Sequence, residues 1–186
     1  LSLGTSGVVA VVSETSVEDP SGQVAGFADA SGHWLPLACT LNASRILDAV
    51  GAMSGLGYEE LDEAALSVPD AGGLRLVPYF EGERTPNLPD ATASLEGMTL
   101  KNSTRAHLAR AGVEGLLAHM RFALECVREL GVPIEKVLVV GGGARSRAVQ
   151  SLAPEFLGVP VEFPEAAEYV ALGAARQAGM LHSPTM

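Results

Sequence analysis

Apolar and polar residues alternate at the start of the chain, and this alternation predicts short β-strands. β-branched runs flank the turn Gly4-Thr5-Ser6-Gly7, which has glycine at both ends and therefore predicts a β-hairpin. Two more strands follow around Ser31-Gly32, so an antiparallel meander is expected. The predicted strands are Leu1–Leu3, Val8–Val12, Gly26–Ala30 and His33–Ala38.

The middle of the chain has apolar residues at helical spacing, interrupted by one strand and one long loop. Asn42 is a good N-cap residue, and a helix is expected from there to Gly55. Gly112 and Gly115 lie inside the longest predicted helix and indicate close backbone packing there. The other predicted elements are helix Tyr58–Leu66, strand Leu74–Tyr79, an irregular stretch from Glu81 to Lys101, and helix Ser103–Leu130. A loop of that length usually has a function.

The final third of the chain alternates between strands and helices. The predicted order is strand Val137–Val140, helix Arg145–Leu157, strand Val159–Phe163 and helix Ala167–Leu181. An antiparallel meander followed by such an alternation predicts an α/β fold, in which helices flank a mixed sheet of antiparallel meander and parallel strands. The chain of 186 residues, 47% of them hydrophobic, is long enough for one domain with a buried core.

Charge and cysteine content exclude several classes of function. A net charge of −10 argues against nucleic acid as a partner, because such binding needs a basic surface, but it does not exclude a nucleotide. No apolar run approaches the roughly 20 residues of a membrane helix, so no membrane partner is expected. Cys39 and Cys126 lack metal-ligand spacing and are expected to be buried thiols of a cytoplasmic protein.

Two glycine turns carry the candidate chemistry. Gly141-Gly142-Gly143 lies between a strand and a helix, and glycine lets a base or a phosphate lie directly against the backbone, while the helix start offers free N–H groups. Such glycines can equally serve packing alone. The turn from Gly4 to Gly7 can present several N–H donors to one anion, or it can be an ordinary hairpin turn.

Short motifs in a fixed order make the chain resemble the sugar kinases of the FGGY family, and xylulokinases most of all. The motifs are Ser2-Leu3-Gly4-Thr5-Ser6-Gly7, Val77-Pro78-Tyr79, Gly82-Glu83-Arg84-Thr85-Pro86, Leu95-Glu96-Gly97-Met98-Thr99, Ala111-Gly112-Val113-Glu114-Gly115, Gly141-Gly142-Gly143-Ala144-Arg145-Ser146 and Tyr169-Val170-Ala171-Leu172-Gly173-Ala174-Ala175. The resemblance implies a ribonuclease-H-like, actin-like ATPase fold. It also implies that residues 1–186 form the C-terminal nucleotide-binding lobe and that the N-terminal lobe is absent from this chain.

The resemblance implies ATP-dependent phosphorylation of D-xylulose to D-xylulose 5-phosphate, with ATP and Mg²⁺ as cofactors. The expected partners are the small sugar, the N-terminal lobe and, in a homodimer, a second copy of the chain. The general-base aspartate is expected upstream of Leu1, and magnesium ligands belong to the missing half. This chain therefore has no predicted catalytic residue and no predicted metal ligand, and it is expected to be inactive alone.

The resemblance also assigns binding roles to residues of this chain. Gly4, Thr5, Ser6 and Gly7 would contact the ATP phosphates, and Gly142, Gly143 and Ala144 would contact adenosine. Asn42, Ala43 and Ile46 would line the other side of the adenine, although Asn42 has the N-cap alternative. Arg145 and Arg147 would contact ribose or phosphate, or would be solvated at the surface.

The sequence leaves four questions open. Glu83 and Arg84 would order a loop near the cleft, or they would form a surface ion pair of about 0–1 kcal/mol. Glu114 would bond that loop or be exposed. The substrate would be xylulose or another sugar or polyol such as ribulose, gluconate or glycerol. A catalytically silent actin-like binding module is the alternative from a different class.

Overall fold

A computed structural model describes residues 1–182, with side chains described up to Met180. The strands in this part of the chain are Ser2–Leu3 (β1), Gly7–Ala10 (β2), Val24–Ala28 (β3), Trp34–Thr40 (β4), Arg75–Val77 (β5), Ser94–Glu96 (β6), Val137–Leu138 (β7) and Val161–Glu162 (β8). The helices are Ser44–Ser54 (α1), Tyr58–Leu66 (α2), Arg105–Glu129 (α3), Arg147–Leu157 (α4) and Tyr169–His182 (α5). Gly142–Arg145 form a short 3-10 helix.

The short strand β1 joins the two halves of a mixed sheet. Strands β1, β2, β4 and β3 lie side by side in that order, and all their pairings are antiparallel. Strands β7 and β8 pair in parallel. Between the two groups, Leu3 donates a backbone hydrogen bond of 2.8 Å to Val140, and Val140 donates one of 2.9 Å to Leu1. The expected α/β architecture, with antiparallel strands continued by parallel ones, is confirmed. The antiparallel strands do not form the predicted meander, because β4 lies between β2 and β3.

Helix α3 forms the centre of the core. It packs against α1, α2 and α4 and also against β4 and β5. Its apolar stripe follows the helical spacing that the sequence predicted, and the residues of that stripe are buried. They are Ala109, Val113, Leu116, Met120, Ala123 and Val127. Burying such a stripe provides most of a helix's stability, because intrinsic propensity contributes little.

Several predicted elements differ from the observed ones. Strand β6 was not predicted, because three residues inside a loop rich in Pro and Gly carry too little alternation to be detected. It pairs antiparallel with β5 and places Leu95 opposite Leu76. Helix α4 begins at Arg147 and not at Arg145, because Gly142–Arg145 form the 3-10 helix and Ser146 caps α4.

The N-cap of α1 and the burial of the two cysteines also differ from the predictions. Asn42 does not cap α1, whose N-cap position is Ala43, without a side-chain hydrogen bond. Cys39 and Cys126 are free but half-buried, not buried as expected. No helix among residues 1–182 is long and apolar enough to cross a membrane.

The glycines of α3 allow close backbone approach, as the sequence predicted. A Cβ atom added at Gly112 would lie 2.8 Å from a methyl carbon of Val50 on α1. A Cβ added at Gly115 would lie 2.8 Å from the backbone oxygen of Leu76 on β5. Side chains can shift more easily than backbone, so the contact at Gly115 is the less tolerant of the two.

We predict that Gly115→Ala lowers the free energy of unfolding by about 1–3 kcal/mol, because the added methyl group overpacks the α3–β5 contact. Gly173→Ala in α5 is the matched control, since a Cβ there meets no atom within 4 Å. The control should not destabilise the protein, because alanine is the better helix former. Urea unfolding of both variants measures the difference, and equal effects would contradict the packing explanation.

Candidate functional site

The two glycine turns lie next to each other because both are attached to Leu3. A Cβ added at Gly141, whose φ is +97°, would lie 2.7 Å from the backbone oxygen of Leu3. A Cβ at Gly143 would lie 3.0 Å from the Cβ of Leu3. At Gly142, in contrast, an added Cβ would meet no atom within 4 Å. Packing therefore explains glycine at positions 141 and 143 but gives no reason for glycine at position 142.

The turn after β1 is held from behind by the start of α1. Ser44 donates to the carbonyl oxygen of Gly4 through its N–H (2.9 Å) and its hydroxyl group (2.6 Å), and Ala43 donates to that of Thr5 (3.2 Å). Gly7 donates its N–H to Thr40 Oγ1 at 3.1 Å. Among the described residues, the N–H groups of Gly4, Thr5 and Ser6 have no acceptor. The turn thus presents free backbone donors, which is the arrangement that binds anions.

A cavity of about 440 Å³ lies between the glycine turn at 141–143 and helices α1 and α2. Its volume is within the usual range for small-molecule sites. Ser44 and Leu47 of α1 form one side, and Tyr58 and Asp62 of α2 contribute to the rest. The turn side of the lining consists of Gly142, Gly143, Arg145 and Ser146. The turns and this cavity together are the candidate site.

The residues expected to line the adenine from α1 are placed differently by the structure. Asn42, Ala43 and Ile46 are completely buried, so no ligand in the cavity contacts them. The expectation for these residues is corrected: Ser44 and Leu47, one position further along, face the cavity. The sequence did not reveal which residues of α1 border the cavity, because the apolar pattern does not separate a core-facing residue from a cavity-facing one.

The residues that follow the glycine turn at 141–143 lie in different surroundings. Ala144 lies on the other side of the turn, where it lines a second cavity of about 550 Å³. Arg145 borders both cavities. Arg147 is exposed and lies 3.4 Å from Glu63 of α2, outside the lining of the first cavity, so the solvated alternative describes it.

Asp62 is a site residue that the sequence did not reveal. It is nearly buried, and its carboxylate accepts hydrogen bonds from the N–H groups of Arg147 (2.8 Å) and Ala148 (3.2 Å) and from the Ser146 hydroxyl. A carboxylate at this place satisfies the free donors and the positive dipole end of α4. Asp62 comes from α2, far away in sequence, so no local pattern pointed to this role.

Glu83 is buried and does not form the surface ion pair with Arg84 that the sequence left open. Its carboxylate accepts hydrogen bonds from His119 Nε2 (2.8 Å) and from Asn42 Nδ2 (2.8 Å). It also accepts the backbone N–H groups of Leu41 (2.6 Å), Asn42 (3.3 Å) and Arg84 (2.7 Å). Burial raises the pKa of Glu83, but these hydrogen bonds outweigh burial and bring its pKa to about 2.

Glu114 is the remaining charged residue for which the sequence left two alternatives open. Glu114 pairs with Arg110 of its own helix at 2.6 Å and is half-buried, so it neither bonds the loop nor stands exposed. Within residues 1–182 there is no group of three or more His, Cys, Asp or Glu side chains that could hold a metal ion.

Comparison with known proteins gives a family match over nearly the whole chain. Residues 1–182 match the C-terminal domain of the FGGY family of carbohydrate kinases. The chain is 42% identical over 182 residues to a xylulose kinase of Streptomyces coelicolor and 43% identical over 182 residues to one of Streptomyces rubiginosus. Each match covers 97% of the chain but 36% of the relative, so the chain spans about a third of these proteins' length.

A solved structure agrees with the sequence matches. The xylulose kinase of Bifidobacterium adolescentis superposes with a TM-score of 0.88 at 58% identity, over 95% of this chain and 35% of that one.

We predict that Glu83→Gln makes stability less dependent on pH. The pKa of Glu83 is lowered from 4.5 to about 2 in the folded chain, so its contribution is complete above pH 4.5 and is lost as the pH falls through 2. Glutamine does not titrate. The difference in unfolding free energy between wild type and variant should therefore shrink by about 2 kcal/mol from pH 5 to pH 3. Urea unfolding at both pH values measures it, and a constant difference would contradict the assigned hydrogen bonds.

Proposed function

The chain belongs to the FGGY family of carbohydrate kinases, and we propose from this premise that its two glycine turns and the cavity beside them form the ATP-binding part of a sugar kinase. In this proposal residues 1–186 are the C-terminal nucleotide-binding lobe. The reaction of the whole enzyme is transfer of the γ-phosphate of ATP to D-xylulose, which gives D-xylulose 5-phosphate. The observation that supports nucleotide binding most strongly is the set of free N–H groups at Gly4, Thr5 and Ser6 beside a cavity of nucleoside size.

The positions of charged groups support one orientation of the nucleotide. The N-terminus of α4 is occupied by the Asp62 carboxylate, which would repel a phosphate group there. The turn from Gly4 to Gly7 has free donors and no carboxylate hydrogen-bonded to them. We therefore place adenosine in the cavity against Gly142 and Gly143, and the β- and γ-phosphates at the turn, where the Thr5 and Ser6 hydroxyl groups lie at the surface.

The chain's contribution to catalysis would be binding and electrostatic stabilisation. Phosphoryl transfer depends on positioning and on neutralising the charge of the transferred group. Fixed N–H donors at the turn supply such stabilisation without reorganisation during the reaction. The base that accepts the sugar hydroxyl proton is proposed to lie outside this chain. Mg²⁺ would accompany ATP and help to neutralise the charge of its phosphates.

An uncovered helix supports a further lobe as partner. Helix α5 exposes apolar side chains, with Val170 89%, Met180 75% and Leu172 47% exposed. Large exposed apolar surfaces usually mark an interaction site. We propose that the N-terminal lobe contacts this helix, and a second copy of the chain is the other candidate. The free thiols Cys39 and Cys126 support the cytoplasm, a reducing compartment, as the location.

We predict that Gly142→Val weakens ADP binding at least tenfold without lowering stability, because its side chain enters open space at the proposed adenosine wall. Gly179→Val in α5 is the control, since a Cβ there also meets no atom within 4 Å. Titration calorimetry with ADP measures affinity, and thermal unfolding measures stability. Wild-type affinity in Gly142→Val would contradict the placement of adenosine.

The substrate and the completeness of the active site are tested by phosphorylation assays. A protein in which this chain is joined to the part that its longer relatives also contain should release ADP with D-xylulose faster than with D-ribulose, D-gluconate or glycerol. The 186-residue chain alone should show no turnover with any of them, because it lacks the proposed base. No turnover by the joined protein on the whole panel would favour a catalytically silent binding module instead.

A further inference from the structure

The buried carboxylate of Glu83 lies behind the segment that supports the first glycine turn. Its oxygens hold the backbone N–H groups of Leu41 and Asn42 and the Asn42 side chain, as described above. The same asparagine side chain donates to the backbone oxygen of Gly82 at 2.8 Å. Glu83 therefore fixes the connection between β4 and α1 on one side and its own loop on the other.

The residues around the β4–α1 connection hold the turn with further hydrogen bonds. Thr40 Oγ1 donates to the carbonyl oxygen of Asn42 (3.1 Å) and accepts the N–H of Gly7 (3.1 Å). Ala43 and Ser44 hold the carbonyl oxygens of Thr5 and Gly4. These contacts turn the carbonyl groups of the turn toward α1, so its free N–H groups point away from it. Glu83 bonds Leu41 and Asn42, the two residues that lie between Thr40 and Ala43 in this support.

Two consecutive residues of helix α3 contact Glu83 and the turn. His119 is buried and donates from Nε2 to Glu83, and the edge of the Tyr79 ring packs against its imidazole at a centroid distance of 5.5 Å. Met120 lies beneath the turn, where a Cβ added at Gly7 would be 2.7 Å from its Cε. Both residues belong to α3, which packs against β2, β4 and β5.

We propose that Glu83 and His119 are positioning residues for the phosphate-binding turn: they align the free N–H groups of Gly4, Thr5 and Ser6 through the β4–α1 connection. This inference rests on the proposed function, since it assumes that the turn binds phosphate. Neither residue contacts the nucleotide, because both side chains are buried. Their loss should thus affect the phosphate part of the ligand and leave the adenosine part largely unchanged.

The test compares two probes, ADP and adenosine, in NMR titrations of the 186-residue chain. Glu83→Gln should lower ADP affinity roughly tenfold and adenosine affinity less than twofold, because adenosine does not use the turn. Val127→Ala is the stability control, since this buried residue of α3 destabilises when truncated but has no contact with the support. It should leave the ratio of the two affinities unchanged.

His119 provides a second, conservative pair of variants. His119→Gln keeps a side-chain N–H donor for Glu83 and should retain most of the ADP affinity, whereas His119→Leu should lose it to the same extent as Glu83→Gln. If Glu83→Gln does not fold, this pair carries the test. A similar loss for adenosine and ADP in these variants, or no loss in either, would overturn the positioning role. Failure of the unaltered chain to bind ADP would instead overturn the proposed function, and this inference with it.

Discussion

The backbone pairing of β1 with the chain at Val140 is the interaction on which the candidate site depends. Leu3 is completely buried, and its backbone joins the antiparallel strands to the parallel strands. One glycine turn leaves β1 directly after this residue, and the other leaves the partner strand directly after Val140. Because the two strands are parallel at this bridge, both turns follow the carboxyl ends of their strands and lie at the same end of the sheet. Ligands of open α/β sheets bind outside the carboxyl ends of the strands.

Each glycine turn is backed by one buried carboxylate from a distant part of the chain. Asp62 of α2 satisfies the N–H groups that follow the turn at Gly141–Gly143, and Glu83 satisfies those of the segment behind the turn at Gly4–Gly7. In both cases the carboxylate oxygens accept hydrogen bonds from backbone N–H groups. The difference is that Asp62 closes a helix N-terminus, whereas Glu83 leaves the donors of the turn free. The proposed placement of adenosine at one turn and of phosphate at the other rests on this asymmetry.

The sequence predicted the elements whose own periodicity is strong. The spacing of Leu116, Met120 and Val127 was sufficient for α3, and the glycine turns were located correctly by composition. Strand β6 and the face of α1 were not predictable, because they depend on which partner covers them. The surroundings of Glu83 show the same limit: an acid beside an arginine in a loop looks like a surface pair until His119 and Asn42 are placed around it.

Backbone resonances of the two turns give the most direct measurement of the central claim that they form one nucleotide site. In an NMR titration of the chain with ADP, the amide signals of Gly4, Thr5 and Ser6 and those of Gly142 and Gly143 should shift together along one binding curve. Adenosine should shift the signals of Gly142 and Gly143 and leave those of Thr5 and Ser6 nearly unchanged. Shifts confined to one turn with ADP, or located away from both, would contradict a shared site.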